Sequence, residues 1–216
     1  MINIVDIGCG NFKAISNMLE VLRLPVRISR NEADVLGASH LILPGVGAFD
    51  HYRQRMRELG VDRLLEKAVL KQRIPLLGIC VGMQVLTDGS EEGSEEGLGW
   101  IPGFATRLQP DSERKLRVPH MGWNIARPAQ PSHPLFADHE DEIRFYFVHS
   151  FAVHCKDSKD VLATSEHGVE FASAIGRGSI YGVQFHPEKS HRFGKALLAA
   201  FAKVPSPRDL ARPRVS

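Results

Sequence analysis

Short apolar runs alternate with amphipathic stretches through the first half of the chain. The runs Ile2–Asp6, His40–Leu43 and Ile74–Ile79 have the length and apolar character of buried strands. The segment Phe12–Leu22 carries apolar residues at helical spacing, and a longer helix is predicted near Phe49–Gln72. Strands and helices that alternate in this way are typical of a parallel sheet covered by helices on both faces.

The second half, from about residue 98, is richer in proline and in short β patterns. Its predicted strands are Phe104–Leu108, Ile125–Ala126, Arg144–Val148, Ala152–Cys155, Phe171–Ile175 and Ile180–Phe185. We therefore predict an α/β fold whose parallel sheet continues into an antiparallel extension. A last helix at His191–Lys203 would end a single domain of residues 1–203, and the Pro- and Arg-rich tail 204–216 is expected to be disordered.

A cysteine with a glycine two residues away on either side follows the predicted strand Ile74–Ile79. Gly78 and Gly82 permit a sharp turn around Cys80, and the residues from Met83 onward can begin a helix. The arrangement resembles a nucleophile elbow in which sulfur replaces oxygen. A helix N-terminus favours the thiolate, which is the attacking form of cysteine. Cys80 is therefore a candidate nucleophile, although a buried structural cysteine fits this pattern equally well.

A second apolar strand ends in a histidine and a carboxylate two residues apart. In an extended chain, alternate side chains point to the same side, so His186 and Glu188 are expected to lie together. A cysteine nucleophile needs a neighbouring base, and the base needs an acceptor that fixes its tautomer. Cys80, His186 and Glu188 supply these three parts. A metal pair or a surface turn is the less favoured interpretation of the histidine and the carboxylate.

The composition limits the possible functions. The 216 residues carry a formal net charge of +2, and no basic patch with interleaved aromatic residues is present, so nucleic acid is not an expected partner. Three cysteines without framework spacing favour a reducing compartment. No basic region precedes the first strand, and no apolar run approaches the roughly 20 residues that span a bilayer. We expect a cytoplasmic protein that does not enter a membrane.

Two features of the sequence suggest metal binding at first sight. Ten histidines are present, but neither they nor the cysteines have the close His-x-x-x-His or Cys-x-x-Cys spacing of a zinc site. The acidic segment Glu91–Gly97 contains glycines and has no periodicity, so we interpret it as a solvated loop rather than a cation site. We predict neither a metal nor a cofactor.

Several motifs in addition to these give the chain a resemblance to a known family. Gly78–Gln84 and Gly182–Glu188 resemble the two signatures of class I glutamine amidotransferases, the triad type of glutaminase. Further motifs make the chain most similar to the glutaminase subunits of imidazole glycerol phosphate synthase: Asp6–Asn11, Leu43–Phe49, Val118–Asn124, Tyr146–Ser150 and Lys189–Ser190. The resemblance covers about residues 1–202. It implies a flavodoxin-like parallel or mixed sheet flanked by helices.

The resemblance also implies roles for individual residues. Cys80 would attack the side-chain carboxamide of glutamine, His186 would transfer protons, and Glu188 would orient His186. We prefer His186 to His149 as the base because only His186 has a carboxylate partner beside it. Backbone N–H groups would stabilise the oxyanion. The side chain of a glutamine residue and a neighbouring strand of the protein would hold the substrate. The residues implied are Val81, Val46 and Gly47 for the oxyanion, and Gln84, His149 and Ser150 for the substrate.

A free glutaminase would waste glutamine, and we expect no second catalytic domain in this chain, because the sequence has no Walker A loop and no extra length for an acceptor site. The resemblance implies a separate (β/α)8-barrel cyclase subunit, which uses the ammonia for a step of histidine biosynthesis. In this family the positions that match Asn11, Trp123, Tyr146 and Lys189 lie at the subunit interface. As isolated residues, the four would be an N-cap, a core tryptophan, a strand aromatic and a surface lysine.

Three alternatives remain at the level of sequence. Ile7 stands where the family usually has tyrosine, and the segment Glu166–Gly168 lacks another frequent tyrosine; these departures leave the triad intact and leave the acceptor open. A related glutaminase subunit that serves a sugar amidotransferase in surface-polysaccharide synthesis is the first alternative. A non-catalytic subunit of the same fold and a cysteine peptidase are the others.

Overall fold

A mixed sheet of ten strands runs through the protein. The computed structural model describes residues 1–110, 116–137 and 142–207. The main path of the sheet has the order β2-β1-β3-β4-β12-β11-β10-β7, and β9 pairs with β11 and with β5. The strands are β1 Ile2–Ile4, β2 Val26–Ile28, β3 His40–Gly45, β4 Leu76–Cys80, β5 Gly103–Arg107, β6 His120–Ile125, β7 Arg127–Pro128, β8 Arg144–His149, β9 Phe151–Cys155, β10 Val161–Glu166, β11 Glu170–Arg177 and β12 Ile180–Val183.

The first half of the sheet is parallel, as its sequence predicts. Strands β1 to β4 and β12 run in the same direction, and every residue of β1, β3, β4 and β12 is buried. A parallel sheet covered on both faces explains why these strands are continuous apolar runs. The carboxyl ends of β4 and β12 are neighbours, because Ile79 lies opposite Val183. The sheet therefore brings the two sequence signatures together.

Helices flank this part of the sheet. They are α1 Phe12–Val21, α2 Glu32–Leu36, α3 Phe49–Glu58, α4 Val61–Leu65, α5 Val81–Gln84 and α6 His191–Ala202, with a π-helical turn at Glu66–Lys71 and 3₁₀ turns at Ser158–Asp160 and Pro187–Lys189. The single helix predicted near residues 49–72 is wrong, because the chain breaks at Gly60, whose φ is +66°. A left-handed glycine commonly ends a helix.

The antiparallel extension predicted for the second half is confirmed. Strand β11 pairs antiparallel with β10, β12 and β9, while β6 and β8 form a separate two-stranded antiparallel sheet. Two details of the prediction are wrong: β10 was not predicted, and of the strand predicted at Ile125–Ala126 only Ile125 is a strand residue, as the last residue of β6. The sequence of β10 combines small and polar residues with only weak alternation, which gives a poor strand signal.

The described end of the chain packs against the domain. Val204 and Ser206 are buried, and the Val204 carbonyl oxygen lies 2.8 Å from Nε2 of His40. The folded part of the chain thus continues past the predicted boundary at residue 203. Residues 208–216, which contain most of the predicted disordered tail, lie outside the described residues.

None of the helices in the described part of the chain combines the length and the apolar character needed to cross a membrane.

Candidate active site

Cys80 ends β4 in a strained backbone conformation. Its φ is 56° and its ψ is −114°, a combination that L-residues rarely adopt and that is often found at functional sites. The turn also requires Gly82, since a Cβ there would lie 1.9 Å from the Leu43 carbonyl oxygen. The helix that follows, α5, spans Val81–Gln84, so it begins directly after Cys80 and not at Met83 as predicted. The thiol is buried but lies at the wall of a cavity.

His186 and Glu188 follow β12, next to β4. Nδ1 of His186 lies 2.9 Å from Oε1 of Glu188, and both side chains are almost completely buried. Burial alone would lower the pKa of His186, but the adjacent Cys80 sulfur and Glu188 carboxylate favour the imidazolium and raise it to about 9. Nε2 of His186 is buried without a hydrogen-bond partner among the described residues. That nitrogen is therefore available for proton transfer.

The turn that carries His186 and Glu188 is fixed to β8. The His186 N–H donates to the Tyr146 carbonyl oxygen at 2.9 Å. The Ser190 hydroxyl donates to the His186 carbonyl oxygen at 2.6 Å and accepts from the Tyr146 N–H at 3.0 Å. Ser190 is completely buried. These bonds connect the candidate catalytic histidine to the sheet formed by β6 and β8.

A cavity of about 310 Å³ opens beside Cys80 and His186, within the range of roughly 300–1,000 Å³ that is usual for small-molecule sites. It brings together most of the residues implied by the sequence. Its lining consists of Val46, Gly47, Cys80, Val81, Gln84, Glu92, Pro119, Val148, His149, Ser150, Phe151, His186 and Lys189. The candidate oxyanion residues and the candidate substrate residues thus all face the same cavity as the thiol.

The candidate oxyanion segment differs from its surroundings in exposure and in conformation. Val46 is 43% exposed although it directly follows β3, whose residues are all buried. Gly47 has a φ of +100°, and a Cβ built there would have open space around it. The conformation at Gly47, rather than a lack of room, therefore favours glycine at this position.

Glu92 is a site residue that the sequence analysis missed. It belongs to the acidic segment interpreted as a solvated loop, but its carboxylate Oε2 accepts a hydrogen bond of 2.9 Å from the Phe49 N–H, and the residue lines the cavity. The segment is held on α3 by Asp50, which accepts from the N–H groups of Ser94 and Glu95, each at 2.9 Å. These two N–H groups keep the pKa of Asp50 below its ordinary value. Glu92 is exposed, as the solvated-loop interpretation predicts, but that interpretation did not place its carboxylate at the cavity.

His149 has both of its ring nitrogens occupied. Nδ1 lies 2.8 Å from the Phe151 carbonyl oxygen and must donate to it, which leaves Nε2 to accept from Nδ1 of His120 at 2.9 Å. Burial lowers the pKa of His149 to about 4 and that of His120 to about 3. The two rings therefore form a neutral pair at physiological pH. Neither ring nitrogen of His149 is therefore available to exchange a proton with Cys80, whereas Nε2 of His186 is.

The four residues predicted at a subunit interface occupy different environments. Trp123 is 47% exposed on β6, so the simple interpretation as a core tryptophan is wrong. Its ring lies 6.3 Å from that of Tyr146 on β8, and Nζ of Lys189 lies 5.6 Å from the Tyr146 ring. Asn11 makes no side-chain cap, and its Nδ2 donates to Oε1 of Glu188 at 3.5 Å.

The part of the chain that the structure describes has no group of three or more His, Cys, Asp or Glu residues that could hold a metal ion. The site instead combines a thiol, a buried imidazole and a carboxylate beside a small-molecule cavity. This set of groups is suited to covalent catalysis through a thioester.

The family model for class I glutamine amidotransferases matches residues 3–204. The chain belongs to this family. The fold agrees: a crystal structure of a glutamine amidotransferase superimposes with a TM-score of 0.71 at 18% identity, over 93% of this chain and 96% of the other. The glutaminase domain of Trypanosoma brucei CTPS, solved with bound acivicin, gives a TM-score of 0.63 at 17% identity over 94% of each chain.

Closer relatives lie within one branch of the family. A protein of Bdellovibrio bacteriovorus named imidazole glycerol phosphate synthase subunit HisH is 46% identical, over 94% of this chain and 100% of the relative. The protein of the same name from Leptospira borgpetersenii is 42% identical over the same shares. These relatives place the chain among the HisH-type class I amidotransferases, which confirms the resemblance found in the sequence.

Proposed function

We propose that this protein is the glutaminase subunit of an imidazole glycerol phosphate synthase. It hydrolyses L-glutamine to L-glutamate and ammonia, and the ammonia passes to a separate (β/α)8-barrel cyclase subunit. The cyclase would convert a phosphoribulosyl-formimino aminoimidazole carboxamide nucleotide into imidazole glycerol phosphate and aminoimidazole carboxamide ribonucleotide. The observation that carries the proposal is the convergence of Cys80 and His186 on one cavity, with Glu188 beside His186, in a chain whose relatives are HisH subunits.

In the first half of the reaction the Cys80 sulfur attacks the carboxamide carbon of glutamine. A sulfur–carbon bond forms, the carbon–nitrogen bond breaks, and the imidazolium of His186 gives its proton to the departing ammonia. In the second half, His186 accepts a proton from water, which attacks the thioester and releases glutamate and the thiol. Glu188 holds His186 in the tautomer that directs Nε2 to the reacting atoms.

The cavity offers partners for the rest of the substrate. The N–H groups of Val81 and of the Val46–Gly47 segment would stabilise the oxyanion of the tetrahedral intermediate. The Glu92 carboxylate supplies a negative charge for the substrate's ammonium group, while Gln84 and the backbone of His149 and Ser150 supply polar contacts. The site thus contains partners for each charged or polar end of glutamine.

The sheet of β6 and β8 is the proposed docking surface for the cyclase. It exposes Met121 and Trp123, which are 62% and 47% exposed. Lys189 lies between this sheet and the catalytic cavity, since it contacts the ring of Tyr146 and lines the cavity. A partner on this face would cover the route from the thiol to the surface, so that ammonia enters the cyclase rather than the solvent. We propose a heterodimer of the two subunits.

The decisive experiment measures glutamate release from glutamine by this protein together with the barrel cyclase of its own organism, with and without the acceptor nucleotide. Strong stimulation by the cyclase and the nucleotide together is expected. If the folded protein is not stimulated, the chain serves another synthase, and a sugar amidotransferase is the next partner to test. Peptide hydrolysis without glutamine turnover would instead favour a cysteine peptidase.

A further inference from the structure

A second glutamine lies between the thiol and Gln84. Gln184 follows β12, two residues before His186, and is completely buried. Its Oε1 accepts a hydrogen bond of 3.0 Å from Nε2 of Gln84. Its own Nε2 lies 3.7 Å from the sulfur of Cys80. The side chain of Gln184 therefore connects the residue beside the substrate cavity to the nucleophile.

The direction of these hydrogen bonds is fixed by a backbone carbonyl. The Phe151 carbonyl oxygen lies 3.3 Å from Nε2 of Gln84, and a carbonyl oxygen can only accept. The nitrogen of Gln84 must face it, so the second hydrogen of that nitrogen donates to Gln184. Gln184 must then turn its oxygen toward Gln84 and its nitrogen toward the sulfur. The orientation of both amides follows from one acceptor that cannot reverse its role.

The Cys80 sulfur lies between two different groups. The Val148 carbonyl oxygen is 4.0 Å from it, on the limit for a hydrogen bond from a thiol. The side-chain N–H of Gln184 is a donor, which a thiolate accepts better than a neutral thiol does. The carbonyl thus favours the protonated sulfur and the amide favours the ionised one. The titratable groups that interact with Cys80 are His186 and Tyr52, and His186 in turn faces Glu188 and His149.

We propose that Gln184 stabilises the thiolate of Cys80 by donating its side-chain N–H to the sulfur, and that it holds Gln84 in place beside the substrate. This inference rests on the proposed function of Cys80 as the nucleophile. Gln184 contributes a donor without a net charge, so the imidazolium of His186 keeps its proton for the leaving ammonia. Because the same side chain contacts both Gln84 and the sulfur, the position of Gln84 is coupled to the ionisation of the Cys80 thiol.

The test measures the rate at which iodoacetamide alkylates Cys80 as a function of pH, followed by mass spectrometry of the Cys80 peptide so that Cys9 and Cys155 do not interfere. In Gln184→Met, which keeps the length of the side chain and removes the donor, we expect the rate at pH 7 to fall about tenfold, with the profile moved to higher pH and the plateau unchanged. Gln184→Glu keeps an oxygen for Gln84 and places a carboxylate near the sulfur, so its decrease should be larger.

The matched control is Gln84→Met, which breaks the first link and leaves the side chain of Gln184 unaltered. Its alkylation profile should move less than that of Gln184→Met, while its KM for glutamine should rise. Profiles that coincide with the wild type in both Gln184 variants would overturn the proposal. Equal displacement in all three variants would also overturn it, because the cause would then be altered packing.

A measurement on the unaltered side chain covers the case in which the Gln184 variants do not fold. The ¹⁵N-labelled wild type should show a shift of the Gln184 side-chain amide over the pH range in which alkylation accelerates, and Cys80→Ala should not. A wild-type amide that does not respond to pH would refute the inference. The alkylation profiles and the amide titration need neither the cyclase nor glutamine turnover, so a failure of the proposed pathway and a failure of the Gln184 proposal are distinguishable.

Discussion

At the scale of single residues, three alternate positions after β12 contribute to one connected set of contacts. Gln184, His186 and Glu188 are each two residues apart, and Gln184 and His186 both interact with Cys80. The period of an extended strand predicts that the histidine and the glutamate lie together, but Glu188 belongs to the 3₁₀ turn Pro187–Lys189, so the turn brings the two side chains into contact. The orientation of the Gln184 amide was not predictable, because it depends on Phe151, far away in the sequence.

Replacing Cys80 by serine should reduce glutamine turnover by about a thousandfold or more, because a hydroxyl is a much weaker nucleophile in a site arranged for a thiolate. Turnover is measured as glutamate release in the presence of the cyclase. Cys155→Ser is the matched control: its half-buried thiol lies outside the cavity, and burial raises its pKa to about 12. Substantial turnover in Cys80→Ser, or a large loss in Cys155→Ser, would place the nucleophile elsewhere.

Replacing Glu188 by glutamine should lower the pKa of His186 from about 9, because the carboxylate that favours the imidazolium is lost. A pKa above the unfolded value of about 6.5 stabilises the folded state below pH 6.5, and this contribution disappears as pH rises through about 9. As pH rises through this window, the free energy of unfolding of the variant should therefore decrease less steeply than that of the wild type. Imidazole NMR titration and urea unfolding at several pH values measure the two effects, and an unchanged titration would contradict the assigned contact.

At the scale of elements, the acidic segment and α3 form a unit that local sequence did not reveal. The composition of residues 91–97 is that of a solvated loop, yet Asp50 binds two N–H groups of the segment and Arg53 donates to the Glu96 carbonyl oxygen at 2.7 Å. These partners are more than forty residues apart in sequence. Periodicity and turn preferences describe local structure only, so neither could place Glu92 in the cavity.

Replacing Asp50 by alanine should raise the KM for glutamine about tenfold with a smaller effect on kcat, because the segment that presents Glu92 loses two charge-assisted hydrogen bonds. Steady-state kinetics with the cyclase present provide the measurement. Arg57→Ala is the control on the same segment, since its ion pair with Glu95 involves a side chain that is 48% exposed and should contribute little. An equal rise of KM in both variants would contradict the prediction that Asp50 positions Glu92 for substrate binding.

The elements that the sequence predicts well are those determined by local pattern. Strands β1, β3 and β4 are apolar runs buried on both faces, and α1 has a single apolar face toward the sheet. The interruption at Gly60 was missed because the apolar spacing continues on both sides of it. The neutral pair of His120 and His149 was also missed, since the pairing of β6 with β8 that makes them neighbours is a long-range contact.

At the scale of the whole molecule, the two buried neutral histidines make the folded state sensitive to acid. The pKa values of His120 and His149 lie at about 3 and about 4, below the unfolded value of about 6.5, so below pH 6.5 the unfolded chain binds more protons. Stability should fall as pH decreases from 6.5 to 4, by at most about 1.4 kcal/mol per pH unit for each histidine. Urea unfolding of His120→Gln should show a shallower decrease, whereas the exposed His51→Gln should follow the wild type.

The association of the molecule with its cyclase is tested at Trp123. The ring is 47% exposed and stacks on His191, with ring centres 5.6 Å apart and an angle of 9° between the planes, so it is presented to a partner in a fixed orientation. A rigid exposed aromatic residue is typical of interface hot spots. Trp123→Ala should weaken binding to the cyclase by at least about tenfold, measured by calorimetry with the purified subunits.

The control for this prediction is Phe104→Ala, because Phe104 is 41% exposed on β5, which pairs with β9 in the other sheet. It should leave the affinity for the cyclase unchanged.

His186 and Ser190 are hydrogen-bonded to the backbone of Tyr146, the strand partner of Trp123. A loss of docking should therefore also reduce the stimulation of glutamine turnover. Full affinity in Trp123→Ala would move the docking surface away from the sheet of β6 and β8. Full affinity with lost stimulation would instead assign Trp123 to the connection between the partner and the triad.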